Sequence, residues 1–153
     1  MGAAYFYHLT QRPLEVALSE LLNAARSKGM RVAVRGSDLA RLSWLDEKLW
    51  LSPEDGFLPH GMAGGHHDAE QPILLTTGAA GNGATCLMSV DGAPVSADEV
   101  GALDRVCVLF DGNDPVALDA ARGQWKALTG AGAAAQYWSE ESGRWEKKAE
   151  SGT

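Results

Sequence analysis

The turn from Gly78 to Thr85, GAAGNGAT, has the G-x-x-x-x-G spacing of a phosphate-binding loop. Such a loop needs a lysine directly after its second glycine to reach the β- and γ-phosphates, and Ala84 stands there. The turn leaves nucleotide binding open and speaks against hydrolysis. His60, His66, His67 and Asp68 are of metal-ligating type. Adjacent histidines in an irregular loop do not converge on one ion as histidines at i and i+4 of a helix do, so a solvated loop and no metal are expected. Ser52, Ser89 and Ser96 lie in no G-x-S-x-G elbow, and no base or carboxylate pair stands at a meaningful spacing. No catalytic residue and no cofactor are expected.

Two other groups bear on binding. Arg122 and Lys126 stand one turn apart beside Leu118, on a helix that also carries Trp125. Pattern alone favours a solvated charged edge, with Asp119 paired to Arg122 three residues on. Trp50 and Phe57 sit seven residues apart, at a helix end and in the irregular loop after it. Loops run over the surface because buried loop backbone leaves polar groups unpaired, so large aromatics there need a reason.

The elements that must position these residues alternate along the chain. Ala3 to Leu9 reads as an aromatic-rich strand. Thr10 to Pro13 starts a helix whose Leu14, Ala17, Leu18, Leu21, Leu22 and Ala25 make one apolar stripe, and Gly29 ends it as a left-handed cap. Met30 to Arg35 alternates as a second strand. Ser37 is the expected N-cap of a helix in which Leu39, Leu42, Leu45 and Leu49 fall within about 120°. Trp50 lies at the rim of that sector and Trp44 points away from it. Pro72 to Thr77, Thr85 to Val90 and Arg105 to Phe110 read as strands, and Ser96 to Glu99 has capping-box spacing. Asp114-Pro115 opens a last helix, ending near Gly130 and Gly132, that buries Ala117, Leu118, Ala121, Trp125 and Leu128. Gln136 to Ser139 is a short final strand. The pattern predicts one three-layer α/β/α, Rossmann-like domain with a mostly parallel sheet over residues 1–140, and a loose charged tail over 141–153.

Composition narrows the function. A formal net charge of −7 and a pI near 5.0 argue against direct nucleic-acid binding, which calls for a basic face toward phosphates. Cys86 and Cys107 sit in apolar runs and read as buried thiols of a reducing compartment. No apolar run reaches the about 18 residues of a membrane span, and the first residues lack a signal-like pattern, so a cytoplasmic location is expected.

The run L-D-x-x-L-W at Leu45–Trp50, then six residues, then F-x-P-H at Phe57–His60 and A-G at Ala63-Gly64 resembles the chi subunit of the bacterial DNA polymerase III holoenzyme clamp loader. The N-terminal aromatic strand and the A-R-x-x-[WY]-K run at Ala121–Lys126 extend the resemblance, which covers most of the chain and departs most at the C-terminal end. It implies a non-catalytic accessory subunit of DNA replication that bridges two proteins. One is the acidic C-terminal tail of single-stranded-DNA-binding protein, held at positions similar to Arg122, Lys126, Leu118 and Trp125. The other is the psi subunit of the clamp loader, held at Trp50, Phe57, Pro59 and His60. A basic family position one turn before Arg122 is Leu118 here, which implies a weaker or differently shaped tail site. A nucleotide-binding α/β enzyme using Gly78–Thr85, or a generic interaction domain, is the alternative.

Overall fold

In chain order the elements of this computed structural model are β1 (Ala3–Leu9), α1 (Leu14–Ser27), β2 (Val32–Arg35), α2 (Leu39–Leu51), β3 (Gly61–Met62), β4 (Ile73–Thr76), β5 (Cys86–Ser89), α3 (Ala97–Ala102), β6 (Arg105–Asp111), α4 (Pro115–Gly130), β7 (Ala135–Ser139) and β8 (Glu146–Ser151). The eight strands line up in the order β3-β4-β2-β5-β6-β1-β7-β8, and every neighbouring pair runs parallel except β7 with β8. The structure describes residues 2–51, 60–63, 70–78, 82–142 and 144–151, without the side chains of Trp50 and Leu51.

Alternation along each strand sorts the core into two layers. Tyr7 and Leu9 of β1, Val32 and Val34 of β2, Met88 of β5 and Cys107 of β6 face α1 and α2, where Leu18, Leu22, Leu42 and Leu45 are fully buried. Ala4 and Phe6, Ala33, Leu87 and Val106 face the opposite way, against Val100 of α3 and Ala121 and Leu128 of α4. The expected three-layer α/β/α arrangement with a mostly parallel sheet is thus the observed one. Cys86 and Cys107 are both buried and free. Among the described residues no helix is long and apolar enough to cross a membrane.

Helix ends follow local chemistry in most places. Ser96 and Glu99 form the capping box, Asp114 caps α4 through the Val116 N–H, and Gly29 adopts φ +77° after α1. The cap of α2 differs from expectation. Asp38 takes the Ala40 N–H at 2.8 Å, while the Ser37 hydroxyl donates to the Asp91 carbonyl across the sheet end. Leu39, expected in the apolar stripe, is the first residue of α2 and is 65% exposed.

Two polar ties hold distant segments. Arg35, at the carboxyl end of β2, is buried and bonds both carboxylate oxygens of Glu99 at 2.9 and 2.6 Å. Two further donors go to the carbonyls of Gly78 and Pro94. Glu140 is completely buried, and its Oε2 accepts the N–H groups of Thr10, Gln11 and Arg12 at 2.9, 3.0 and 3.2 Å. Its Oε1 lies 2.8 Å from Arg12 Nε. No side chain within α1 caps its N-terminus, and this carboxylate gathers the N–H groups of the approach to it instead.

The chain beyond Glu140 departs from the expected loose tail. Residues Glu146–Ser151 form β8, paired antiparallel to β7 with a register irregularity at Tyr137/Trp138. Trp145 anchors its start by packing edge-on to Tyr7 at 5.2 Å, with the Arg12 guanidinium 5.3 Å from its ring centre. An indole at that point supplies apolar burial to a segment otherwise made of charged residues.

Candidate functional site

Helix α4 carries the candidate residues on the edge that looks toward β7. Arg122 and Lys126 are exposed, and Leu118 and Trp125 are half-buried against the α3/α4 layer. Among the described residues neither cation forms an ion pair, so the expected Asp119–Arg122 pair is not made. Beneath them lies an aromatic box. Trp125 meets Phe6 edge-on at 5.3 Å and Tyr137 edge-on at 5.9 Å, and Tyr137 stacks on Phe6 at 6.5 Å. Phe110 closes the floor, 6.0 Å from Tyr137.

Tyr137 is the polar point of the box. Its hydroxyl is 2.7 Å from His8 Nδ1. Burial raises its pKa above the ordinary phenol value, against the lowering pull of the Arg122 charge. Gly112 is required beside it, since a Cβ there would run into the His8 ring. His8, Tyr137, Phe6 and Phe110 were not among the sequence-derived site residues. Phe6 and His8 lie two apart on β1, and the parallel register sets them beside Tyr137 and Ser139. The period-2 alternation of AYFYHL signals a shared face, but no local pattern names the partner strand.

The second group is only partly described. The Trp50 side chain, Phe57 and Pro59 lie outside the described residues, as do His66, His67 and Asp68. The His60 side chain is fully buried, and its Nε2 is 3.2 Å from both the carbonyl oxygen and a carboxylate oxygen of Asp46 on α2. A side chain so placed ties the loop exit to the helix and presents no surface of its own. Trp44, on the same helix, has the Arg41 guanidinium 4.5 Å and the Lys48 ammonium 5.5 Å from its ring centre.

The glycine turn does structural work in its described part. The Asn82 amide is buried and donates to the carbonyls of Val32 and Gln71, Arg31 donates to the Asn82 carbonyl, and Gly83 takes φ +69°. Ala79 to Gly81 lie outside the described residues. Among the described residues no three His, Cys, Asp or Glu side chains converge as a metal site would require.

The architecture is that of a three-layer α/β/α protein whose exposed cation pair rests on an aromatic box. The family model for DNA polymerase III chi subunit, HolC, matches residues 1–136, and the chain belongs to that family. It is thereby an accessory subunit of DNA polymerase III with a role in replication. The match ends within β7, so β8 lies beyond it. No curated protein matches the chain.

Proposed function

We propose that this chi-family chain is a non-catalytic bridge between the clamp loader and single-stranded-DNA-binding protein. The α4 edge holds the acidic C-terminal tail of single-stranded-DNA-binding protein, and the Trp50/Phe57 region holds a psi-type subunit. The observation that carries the reading is the pairing of two exposed cations, without an ion pair among the described residues, with the half-buried Leu118 and Trp125 on one helix edge. A C-terminal carboxylate takes the Arg122 fork while the preceding aromatic ring lies against Trp125. An acidic protein of net charge −7 gains in this way a local site for a carboxylate without a general affinity for phosphates. In this reading His60 and Pro59 act on the second face by holding the loop that carries Phe57, with His60 pinned to Asp46. The protein works in the cytoplasm, where the replication machinery is.

Fluorescence polarisation of a labelled tail peptide tests the first face. Charge-assisted hydrogen bonds contribute about 1.5–3 kcal/mol, so Arg122→Ala weakens the peptide by about tenfold or more. Arg122→Lys is intermediate because it keeps charge and loses the fork. Lys126→Ala has a smaller, salt-sensitive effect. Unaltered affinity in Arg122→Ala returns this edge to ordinary solvated surface.

A further inference from the structure

We propose that the cleft at the carboxyl ends of β5, β6 and β1 is a second peptide-docking site, one that takes a basic segment carrying an apolar side chain. The cleft measures about 700 Å³ and is bounded by residues 9–15 after β1 and by the chain from Val108 to Asp114. Strands β1 and β6 are adjacent, yet the chain leaves β1 toward the α1/α2 layer and leaves β6 toward the α3/α4 layer. Loops that part in this way open a crevice, and in open α/β sheets that crevice is where ligands bind. Here the crevice lies on the Ala117/Ala120/Gln124 side of α4, so it is separate from the Arg122 edge.

Its chemistry excludes the anion such crevices usually hold. The N–H groups of Thr10, Gln11 and Arg12, the natural phosphate donors of the first βα turn, are all taken by Glu140. Asp114 caps α4, and the two loops are tied together by Gly112 N to Leu9 O at 2.7 Å and Asn113 Nδ2 to Thr10 O at 3.3 Å. Both guanidinium groups that reach the cleft are neutralised, Arg12 by Glu20 and Glu140 and Arg41 by Asp91. Three further lining carboxylates, Glu15, Asp111 and Asp114, have no cationic partner among the described residues. Between them the wall is apolar, with Leu14, Ala117 and Ala120, and Val116 stands at the lip 77% exposed. A valine so exposed at the mouth of an acid-rimmed, apolar-walled cleft is complementary to a Lys- or Arg-flanked aliphatic side chain.

The test is fluorescence polarisation with a short labelled peptide of Lys and Arg around one Leu, at two salt concentrations. Controls are the same peptide with Glu in place of the cations and one with Gly in place of Leu. The basic peptide binds saturably, the acidic one does not, and the Gly version binds more weakly. Ala120→Arg, which sets a like charge on an exposed wall position, and the double variant Glu15→Gln/Asp111→Asn each lower affinity by about tenfold. Arg122→Ala leaves it unchanged, which separates this cleft from the tail site. The proposal is overturned if the basic peptide does not saturate, if the Gly version binds equally well, if ATP displaces the peptide, or if both cleft variants bind as the parent does. Circular dichroism of each variant confirms that the fold is intact.

Discussion

Glu140 joins the two ends of the fold, and removing its carboxylate measures that joint. The side chain is fully buried, three consecutive N–H groups point at one oxygen, and Arg12 Nε faces the other at 2.8 Å. Glu140→Ala leaves those donors without their acceptor. Breaking a buried charge pair by deleting one partner costs about 3–5 kcal/mol. The Arg12 side chain is 26% exposed and keeps its bond to Glu20, which places the loss at the lower end, about 3 kcal/mol. For a chain of this length that is a fall in melting temperature of about 6–12 °C. Glu140→Gln retains an oxygen for the N–H groups and loses the charge, so about half the effect remains.

The pH dependence has a definite sign. Burial works to raise the Glu140 pKa, but the backbone donors of residues 10–12 and the Arg12 charge outweigh it and hold the carboxyl below its ordinary value. A carboxylate depressed in the folded state stabilises above its unfolded value, near about 4.3, and that stabilisation fades as pH falls below it. Thermal unfolding followed by circular dichroism from neutral pH to below pH 4 is the assay. Parent and Glu140→Ala curves converge as acid protonates the carboxylate. If Glu140→Ala melts within a degree of the parent at neutral pH, or if the gap does not close in acid, the assigned joint is wrong.

Glu99→Ala removes the bidentate partner of the buried Arg35 and the capping box of α3, and is expected to cost about 2–3 kcal/mol by urea denaturation. Because the hydrogen bonds from Arg35 lower the Glu99 pKa, this loss too diminishes as the pH falls below about 4. Gly112→Ala forces the His8 ring away from Tyr137, so it weakens tail-peptide binding while the α1/α2 layer keeps its stability, read by polarisation and melting together. Trp50→Ala and Phe57→Ala are expected to abolish capture of a psi-type subunit with little change in melting temperature, since a central interface aromatic contributes about 2 kcal/mol or more. Titration calorimetry with ATP and magnesium is expected to show no saturable binding at micromolar concentrations. A dissociation constant of about millimolar or weaker corresponds to no more than about 4 kcal/mol.

Short-range physics made much of the molecule legible in the sequence. The capping box at Ser96–Glu99, the Asp114-Pro115 start and the α1 stripe at Ala17, Leu18, Leu22 and Ala25 act within a few residues and appear where the pattern put them, whereas on α4 only Ala121 and Leu128 of the expected face are buried and Ala117, Leu118 and Trp125 are half-buried. The resemblance to the family rested on side-chain identities in one signature and in the Ala121–Lys126 run, and the family model matches residues 1–136. Where local rules misled, a contact from far along the chain had intervened. Ser37 left its helix to bond Asp91, 54 residues on, and Asp38 took the cap. A segment rich in Glu and Lys became a strand because β7 offered an open edge and Trp145 found Tyr7. The aromatic box under Arg122 draws on β1, β6, α4 and β7, and the crevice beside it exists only because two adjacent strands send the chain to opposite faces. Residue types and spacing determined the layers, the caps of α3 and α4 and the cation pair. The order of the strands determined which residues meet, because pairing across a sheet joins backbones through hydrogen bonds that are the same for every sequence and leaves no local mark of the partner.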